Sequence, residues 1–193
     1  MSTPVATFVS VEEYLEMEYR SDMVRHEYRD GEIRMMGYAS EAHELLVANL
    51  VAALHNCLDG TPCRVYPSNR LLHVPDCGKA FYYADALVVC GPTQFFNYKK
   101  KMQATLNPSV IIEVLSDSTE DYDRAKKWEC YQQIASLRQY LLVAQDEVRV
   151  ETYRREAETA PWTYFRLTDP AQTVRILECE VLLRKVYQHV LGG

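Results

Sequence analysis

The chain alternates between helical and strand-like spacing of its apolar residues, and its first elements follow from that spacing. Ser10 with Glu13 forms a capping-box pattern, which predicts a helix from about Val11 to Tyr19. The Asp30-Gly31 pair that follows is a strong turn signal between two short apolar runs. We therefore predict a β-hairpin next, with strands at Val24–Tyr28 and Glu32–Met36.

The middle of the chain is predicted to contain one long helix and several short strands. Ser40 can cap a helix from about Glu41 to Leu58, which is apolar nearly all round and should sit deep in the fold. The stretch from Gly91 to Leu106, with its run of three lysines, has the character of a loop. Short strands are expected at Cys63–Tyr66, Arg70–His73 and Tyr82–Cys90.

A strand, a helix and a second strand are predicted in the second half of the chain. Val110–Leu115 is a near-continuous apolar run, which is typical of a strand covered on both faces. Ser118 followed by Asp121 predicts a helix start, and that helix should end near Ala135. Because a strand at Gln139–Val143 follows, the three elements resemble a parallel crossover unit.

The remaining residues are predicted to form short strands and one last helix. The strands are expected at Val148–Tyr153, Trp162–Leu167 and Thr173–Leu177, and the helix near Val181–Val190. No shift in composition marks a domain boundary, and 193 residues are most economically one domain. We therefore expect a single domain, residues 1–193, of mixed α/β (α+β) class.

Composition and charge limit the functions and the cellular compartments that we expect for this chain. The net charge of −6 argues against a protein that coats nucleic acid with its whole surface, because such binding uses many Lys and Arg contacts, but it allows a local basic patch. The six cysteines show no CxxC pair, so we expect reduced thiols in a cytosolic protein and disfavour structural zinc. Neither a signal peptide nor an apolar stretch of about 20 residues is visible, so we predict a cytoplasmic protein with no membrane segment.

Two carboxylates stand inside apolar, strand-like runs: Glu113 within Val110–Leu115, and Asp85 within YYADALVV. An ionised carboxylate in such surroundings costs several kcal/mol unless a metal, a cation or several hydrogen-bond donors meet it. The pair therefore suggests a site for a divalent metal and a phosphate ester. The alternative is that both are strand-end carboxylates satisfied by backbone N–H groups.

The helix after Glu113 offers a cation for this site. On a wheel of 100° per residue, Lys127 lies inside the apolar arc, whereas Lys126 lies about 100° away at the edge of the polar side. Lys127 should therefore point toward the strands, where Glu113 and Asp85 are its candidate counter-charges. Asp123 forms an i, i+4 pair with Lys127 and is a candidate for supporting the site, or else an ordinary exposed ion pair.

Other polar residues are weaker candidates. His43 lies on a mostly apolar helix, where a hydrogen-bonded core histidine is commoner than a catalyst. Tyr131 is expected in the core with its hydroxyl near the site. The Lys99, Lys100 and Lys101 run is a solvated loop or a contact to a nucleic-acid backbone.

Several segments resemble one known family. YYADALVVCGP, NPSVIIEVLSDSTEDYDRAKKWECY and SLRQYLLVAQ are similar to the bacterial Uma family of endonucleases, a branch of the PD-(D/E)XK, or restriction-endonuclease-like, superfamily. HEYRDGEI, the helix containing His43, and VETYRRE match as well, so the likeness covers most of the chain. It implies a restriction-endonuclease-like core, in which helices flank a central mixed β-sheet.

The resemblance also implies roles for named residues. Asp85 and Glu113 stand at the family's metal-binding acids, Glu27 at an upstream acid that often joins them, and the implied ion is Mg²⁺ or Mn²⁺. Two positions depart from the pattern: Ala84 replaces the proline before Asp85, and Leu115 stands where the superfamily keeps its lysine. Lys127 matches the lysine of the Uma pattern, and the resemblance implies that it replaces the superfamily lysine from a different position in the chain.

The leading hypothesis from the sequence is a magnesium-dependent endonuclease that hydrolyses DNA phosphodiester bonds. An alternative is a nuclease fold with little or no catalysis that acts as a nucleic-acid-binding or interaction module, which the acidic charge and Leu115 favour. A third is a metal-dependent hydrolase of another phosphate ester. Nucleases of this fold often pair so that two sites address two strands, which makes a homodimer a further hypothesis.

Overall fold

The computed structural model, described for residues 8–99, 102–116 and 119–191, is built on a large mixed β-sheet with helices on both faces. The helices are α1 Val11–Arg20, α2 Glu41–Cys57, α3 Trp128–Tyr131 and α4 Leu183–Val186, and a π-helical segment, Tyr122–Lys127, leads directly into α3. We call residues Tyr122–Tyr131 together the site helix. The fold class is thus the mixed α/β class that the sequence predicts.

The strands form one main sheet and a small separate one. The strands are β1 His26–Arg29, β2 Glu32–Met35, β3 Cys63–Val74, β4 Ala80–Cys90, β5 Phe95–Tyr98, β6 Met102–Thr105, β7 Val110–Leu115, β8 Gln139–Ala144, β9 Val150–Arg154, β10 Thr163–Leu167, β11 Thr173–Ile176 and β12 Cys179–Leu182. In the described part of the chain the main sheet runs β10-β9-β8-β7-β4-β3-β6-β5, with β1 on β4 and β2 on β1. Strands β11 and β12 pair only with each other there.

The local signals near the N-terminus are confirmed. Ser10 caps α1: its hydroxyl accepts the Glu13 N–H, and the Glu13 carboxylate accepts the Ser10 N–H in return. Arg29 pairs with Glu32 across a two-residue turn in which Asp30 and Gly31 both have positive φ, as a type I′ hairpin requires. These elements follow from short-range chemistry, so spacing alone was enough to predict them.

Strand β7 is buried on both faces, which explains its apolar run. On one face, α2 with the β11–β12 hairpin and α4 packs against residues such as Ile112 and Val114. On the other, the site helix packs against residues such as Ile111 and Leu115. Strands β7 and β8 pair in parallel, so the predicted crossover is confirmed.

Several predicted elements differ in the structure. Helix α2 buries one face, through Leu46, Val47, Leu50 and Leu54, so the prediction that it sits deep in the fold holds for that face only. The two strands expected at 63–66 and 70–73 are one strand, β3, and the expected loop at 91–106 contains the hairpin β5–β6. The closing helix is shorter, because residues 179–182 pair as β12. Ser118, the predicted cap of the third helix, lies outside the described residues.

The prediction of reduced thiols is also wrong for this structure. All six cysteines are joined in disulfides: Cys57–Cys179, Cys63–Cys90 and Cys77–Cys130. Their partners lie between 27 and 122 positions apart in the chain. Such pairings depend on which elements meet in the fold, so the spacing of the cysteines could not indicate them.

Candidate active site

The site lies at a gap along one edge of β4. Strand β7 pairs with β4 at residues 86–88, and β1 pairs with β4 at Phe81, which leaves residues 82–85 between the two ladders. Two carboxylates take backbone N–H groups in this gap: Glu27 accepts from Tyr83 at 3.1 Å, and Asp85 accepts from Val114 at 2.7 Å. The interruption of the sheet therefore supplies both the space and the positions of the acids.

A β-bulge on the other edge of β4 faces the same point. Pro67 pairs with Ala86 and Arg70 with Ala84, so residues 68 and 69 of β3 together oppose the single residue Asp85. A bulge bends the strand and re-aims side chains, and bulges are over-represented beside active sites. Asp85 therefore lies opposite the point where the register of β3 and β4 is irregular.

The ammonium of Lys127 is the centre of the site. Its Nζ lies 2.9 Å from Glu27 Oε1, 3.2 Å from Glu113 Oε1 and 3.2 Å from Asp123 Oδ1. The four side chains are between 3% and 6% exposed. Three separate elements, β1, β7 and the π-helical segment, therefore deliver three buried carboxylates to one cation.

The π-helical segment explains how Asp123 and Lys127 reach the same point. Its wider turn carries both residues inward, and the Tyr140 hydroxyl donates to the Asp123 carbonyl oxygen at 3.1 Å. Lys126 is exposed while Lys127 is buried, so the predicted orientation of the two lysines is confirmed. Isolated π-helical turns inside α-helices occur frequently at functional sites.

Tyr131 completes the surroundings of Glu113. Its hydroxyl donates to Glu113 Oε1 at 2.8 Å, and both residues are buried. Burial and the charge of Glu113 raise the pKa of Tyr131 well above its usual range, so the hydroxyl keeps its proton and remains a donor. The predicted position of Tyr131 in the core, with its hydroxyl at the site, is confirmed.

His43 approaches from the helix layer on the opposite face of the sheet. Its Nε2 lies 3.1 Å from Asp85 Oδ1, and the imidazole and the carboxylate are 17% and 14% exposed. Burial lowers the pKa of His43, but the hydrogen bond and charge of Asp85 outweigh burial, so the pKa is raised. Asp85 is therefore held by His43 and Val114, not by Lys127 as the sequence predicts.

Burial and charge act in opposite directions on the central pair. Burial raises the pKa of Glu113 well above its usual range, and the Lys127 charge opposes that rise. Burial also disfavours the charged form of Lys127, but Glu113, Glu27 and Asp123 together raise its pKa. The cluster is therefore short of positive charge, since one ammonium faces three carboxylates.

The donor set suits a hard divalent cation. Mg²⁺ binds oxygen ligands, and Asp85, Glu113 and Glu27 supply only carboxylate oxygens. Asp123 Oδ1 is buried and lies near Lys127 Nζ, yet it accepts no hydrogen bond of good geometry, so one acceptor in the cluster is unsatisfied. The residues therefore fit an additional cation chemically, although those described hold no group of three His, Cys, Asp or Glu side chains arranged around a metal position.

Two cavities of the molecule lie away from these side chains. A cavity of about 440 Å³ has Glu18, Arg70 and Tyr83 in its lining, and one of about 280 Å³ lies beside α1 and the Asp30 turn. Neither is lined by Asp85, Glu113 or Lys127. Glu27, Glu113 and Asp123 are buried beside the site helix, whereas the Asp85 side chain is 14% exposed.

The lysine run is only partly described. Lys99 contacts Glu16 of α1, and its ammonium lies over the rings of Tyr19 and Tyr98. Its contacts are thus with α1 and with Tyr98 of β5, and not with the candidate site. Lys100 and Lys101 lie outside the described residues.

Two further residues hold the site together and were not singled out from the sequence. Arg29 of β1 donates to the Lys126 carbonyl oxygen at 3.0 Å and to Glu129 at 2.8 Å, which fastens the site helix to the first hairpin. Tyr82 places its ring 5.8 Å from Lys127 Nζ. Arg29 precedes the Asp-Gly turn in the sequence, but no local pattern indicates its partner about 100 positions away.

Comparison with known proteins indicates the family. Residues 11–183 match the model of the Uma2 family, which is described as "Putative restriction endonuclease". The chain is 34% identical over 155 residues to the uncharacterized protein slr1290 of Synechocystis sp.. This alignment covers 79% of this chain and 78% of that protein. A second uncharacterized Synechocystis protein, sll1609, is 29% identical over 155 residues, with 80% and 85% covered.

A solved structure has the same fold. A crystal structure from Anabaena variabilis, described as a putative nuclease belonging to DUF820, superposes with a TM-score of 0.70 over 93% of this chain and 97% of that chain. At 15% identity this likeness concerns the fold alone. The family model thus supports a nuclease, and the fold is compatible with one. No helix in the described part of the chain is long and apolar enough to cross a membrane.

Proposed function

The chain belongs to the Uma2 family, and we propose that it is a magnesium-dependent endonuclease that hydrolyses phosphodiester bonds in DNA. The observation that carries the proposal is the convergence of buried carboxylates from β1, β7 and the site helix on Lys127, beside Asp85 at the gap in the sheet. A cluster of this kind stabilises a fold poorly, because the cost of desolvating the charges offsets their attraction. A role in catalysis therefore accounts for the cluster better than a role in stability does.

Asp85, Glu113 and Glu27 are the residues that would hold Mg²⁺ or Mn²⁺. When bound, such an ion lowers the pKa of a water ligand and offsets negative charge on the phosphoryl oxygens. Tyr131 orients Glu113 through its hydrogen bond, and His43 together with the Val114 N–H orients Asp85. The acids are thus positioned before any substrate arrives.

Lys127 is the group that acts on the substrate in this proposal. Its ammonium carries the positive charge of the site and has three N–H donors. Placed beside the scissile phosphate, it would stabilise charge that develops on the phosphoryl oxygens or orient the attacking water. It thereby takes the role of the superfamily lysine, whose position is occupied by Leu115 in this chain.

The proposal is tested by cleavage of supercoiled plasmid DNA with Mg²⁺ or Mn²⁺ and with EDTA. We expect the wild type to nick the plasmid only with metal, and Glu113→Gln and Asp85→Asn to lose at least about 100-fold in rate. Glu178→Gln is the control, since Glu178 is exposed in the β11–β12 turn. Cleavage that persists in EDTA, or that the two site variants leave unchanged, would refute the assignment.

A binding module without catalysis is the second candidate. It is favoured by Lys127 itself, because its ammonium occupies the centre of the carboxylates and the site helix covers them. Retarded migration of labelled DNA, together with absence of metal-dependent cleavage, would favour this function. Parallel assays with RNA and with small phosphodiesters separate DNA from other substrates, and light scattering tests the predicted homodimer.

A further inference from the structure

We propose that the Cys77–Cys130 disulfide is a redox latch on the site helix, and that its reduction lets this helix move away from the carboxylates. An effect of the latch on DNA cleavage rests on the proposed nuclease function. The movement of the site helix on reduction does not, because it depends only on the disulfide and on the helix.

The latch joins the two elements that frame the site. Cys130 is fully buried and lies between Lys127 and Tyr131 of the site helix, both of which bond to Glu113. Cys77 lies in the turn between β3 and β4, five residues before Tyr82 at the start of the gap. The bond therefore fixes the helix that carries Lys127 to the hairpin that carries Asp85.

The site helix depends on tertiary contacts for its position. It comprises a π-helical segment of 6 residues and an α-helical turn of 4, whereas isolated helices shorter than about 12 residues are marginal in water. Its non-covalent attachments include the bonds of Lys127 and Tyr131 to Glu113, the Arg124 ion pair with Glu151, the Arg29 bonds, the Tyr140 hydroxyl bond, and Trp128, which stacks on Tyr153 at 4.2 Å. The disulfide adds a covalent attachment at the end nearest Lys127.

The other two disulfides are placed differently and serve as internal comparisons. Cys63 and Cys90 are registered partners in the β3–β4 ladder, so the strands are already held together without the bond. Cys57 and Cys179 join α2 to β12 on the opposite face of the sheet. Of the three bonds, only Cys77–Cys130 reaches the site helix.

The direction of the effect follows from the closed conformation. Lys127 lies among the carboxylates that a metal ion and a phosphate would need to reach. Because Lys127 moves with the helix that Cys130 anchors, the oxidised bond favours the closed conformation. Reduction removes that restraint, so the site helix should be exposed more often. The Tyr131 bond to Glu113 opens with it, but the ammonium of Lys127 also leaves the carboxylates, so the reduced protein should bind Mn²⁺ more tightly.

The exchange requires an external dithiol. One thiolate attacks the sulfur of Cys77, the Cys77–Cys130 bond breaks, and the electron pair leaves on Cys130, which takes up a proton. The second thiol then attacks the mixed disulfide, which releases Cys77 as a thiol and leaves the dithiol as a disulfide. Two electrons pass from the dithiol to the protein. Cys77 is the less buried of the two residues: it is 5% exposed, against 0% for Cys130, and exposed turn residues flank it.

Hydrogen exchange and Mn²⁺ binding on the full chain, before and after treatment with dithiothreitol, test the latch. We expect reduction to speed amide exchange of residues 122–131 by at least about tenfold. The apparent Kd for Mn²⁺, followed by electron paramagnetic resonance, should fall by about tenfold. Mass spectrometry after thiol alkylation establishes which bonds have opened.

Two single variants separate this bond from the others. Cys77→Ser should behave as the reduced protein does and no longer respond to the dithiol in residues 122–131, and Cys77→Ala is the second choice if Cys77→Ser folds poorly. Cys63→Ser is the matched control and should keep the full response. An unchanged site helix in reduced wild type, or an undiminished response in Cys77→Ser, would overturn the latch.

The outcomes distinguish the latch from the proposed function. A dithiol response in residues 122–131 and in Mn²⁺ affinity, without DNA cleavage, keeps the latch and refutes the nuclease. If the protein cleaves DNA with metal, but the dithiol changes neither the cleavage rate nor the amide exchange of residues 122–131, the nuclease function is supported and the latch is refuted.

Discussion

Lys127 Nζ lies 3.2 Å from Glu113 Oε1, and the two side chains are 6% and 3% exposed. The two residues are 14 positions apart, one on a strand and one on the helix that follows it. A buried pair of this kind is costly to break, although it adds little stability compared with apolar residues of the same volume. This relationship gives the first prediction.

Replacing the central cation should make stability depend on metal. We expect Lys127→Met to lower the free energy of unfolding by about 3–5 kcal/mol in EDTA, because it leaves three buried carboxylates without their ammonium. Millimolar Mg²⁺ should then raise the Tm of this variant more than that of wild type. Thermal melting with and without Mg²⁺ measures both effects.

Lys126→Met is the matched control, since Lys126 is the exposed neighbour on the same helix. It should melt like wild type in both conditions. If Mg²⁺ leaves the Tm of Lys127→Met unchanged, the carboxylates do not bind the ion.

The Tyr131 hydroxyl should be energetically coupled to Glu113. Tyr131→Phe removes the 2.8 Å bond and leaves a buried carboxylate with one donor fewer, so we expect a loss of about 1–3 kcal/mol in urea unfolding. In a double-mutant cycle with Glu113→Gln, the two effects should not add. Tyr38→Phe, on a fully exposed tyrosine, is the control; additive losses would argue against the coupling.

His43 should act by orienting Asp85. We expect His43→Ala to weaken Mn²⁺ binding by about 10–100-fold, as losses of groups that orient metal ligands do. His43→Gln should recover part of the affinity, because its amide can donate to Asp85. His55→Gln, on an exposed position of the same helix, is the control. Equal Mn²⁺ affinity in all variants would exclude this role.

His73 should make the fold less stable in mild acid. The ring is buried, stacks on Phe81 at 4.0 Å and bonds to the Ala80 carbonyl oxygen through Nδ1. Burial lowers the pKa of His73 below its ordinary value of 6.5, so the unfolded chain binds the proton more readily than the folded chain does. Stability should therefore fall as pH drops below about 6.5, by up to about 1.4 kcal/mol per pH unit from this residue.

Urea unfolding between pH 7.5 and pH 5 measures this loss. His73→Phe keeps an aromatic ring beside Phe81 and should flatten the decline, whereas His55→Gln should leave it as in wild type. An identical pH profile for His73→Phe would show that other groups cause the decline.

Residues close in sequence determined the elements that were predicted well. The Ser10 capping box, the Asp30-Gly31 turn and the apolar run of β7 each depend on contacts within a few positions, so spacing revealed them. The inward direction of Lys127 was also predictable, because adjacent helical residues point about 100° apart. Lys127 points inward in the structure as well, although residues 122–127 are π-helical.

Elements that depend on distant partners were not predictable in this way. The β5–β6 hairpin has no strong turn signal, and the buried face of α2 is decided by the strands beneath it. The disulfides follow from which surfaces the fold brings together. Residues 117 and 118 lie outside the described part of the chain, so the predicted cap at Ser118 stays a prediction.

The sequence by itself determined that acids stand in apolar strands and that a lysine turns toward them, since alternation and helical pitch are local properties of the chain. Only the tertiary structure decided how these groups combine. The β4–β7 ladder stops at Ala86, β1 joins β4 beyond the gap, and Glu27 then reaches Lys127 from a position 100 residues earlier. Asp85 is left to His43 and Val114. Such partnerships arise from long-range strand pairing, which no short window of sequence contains.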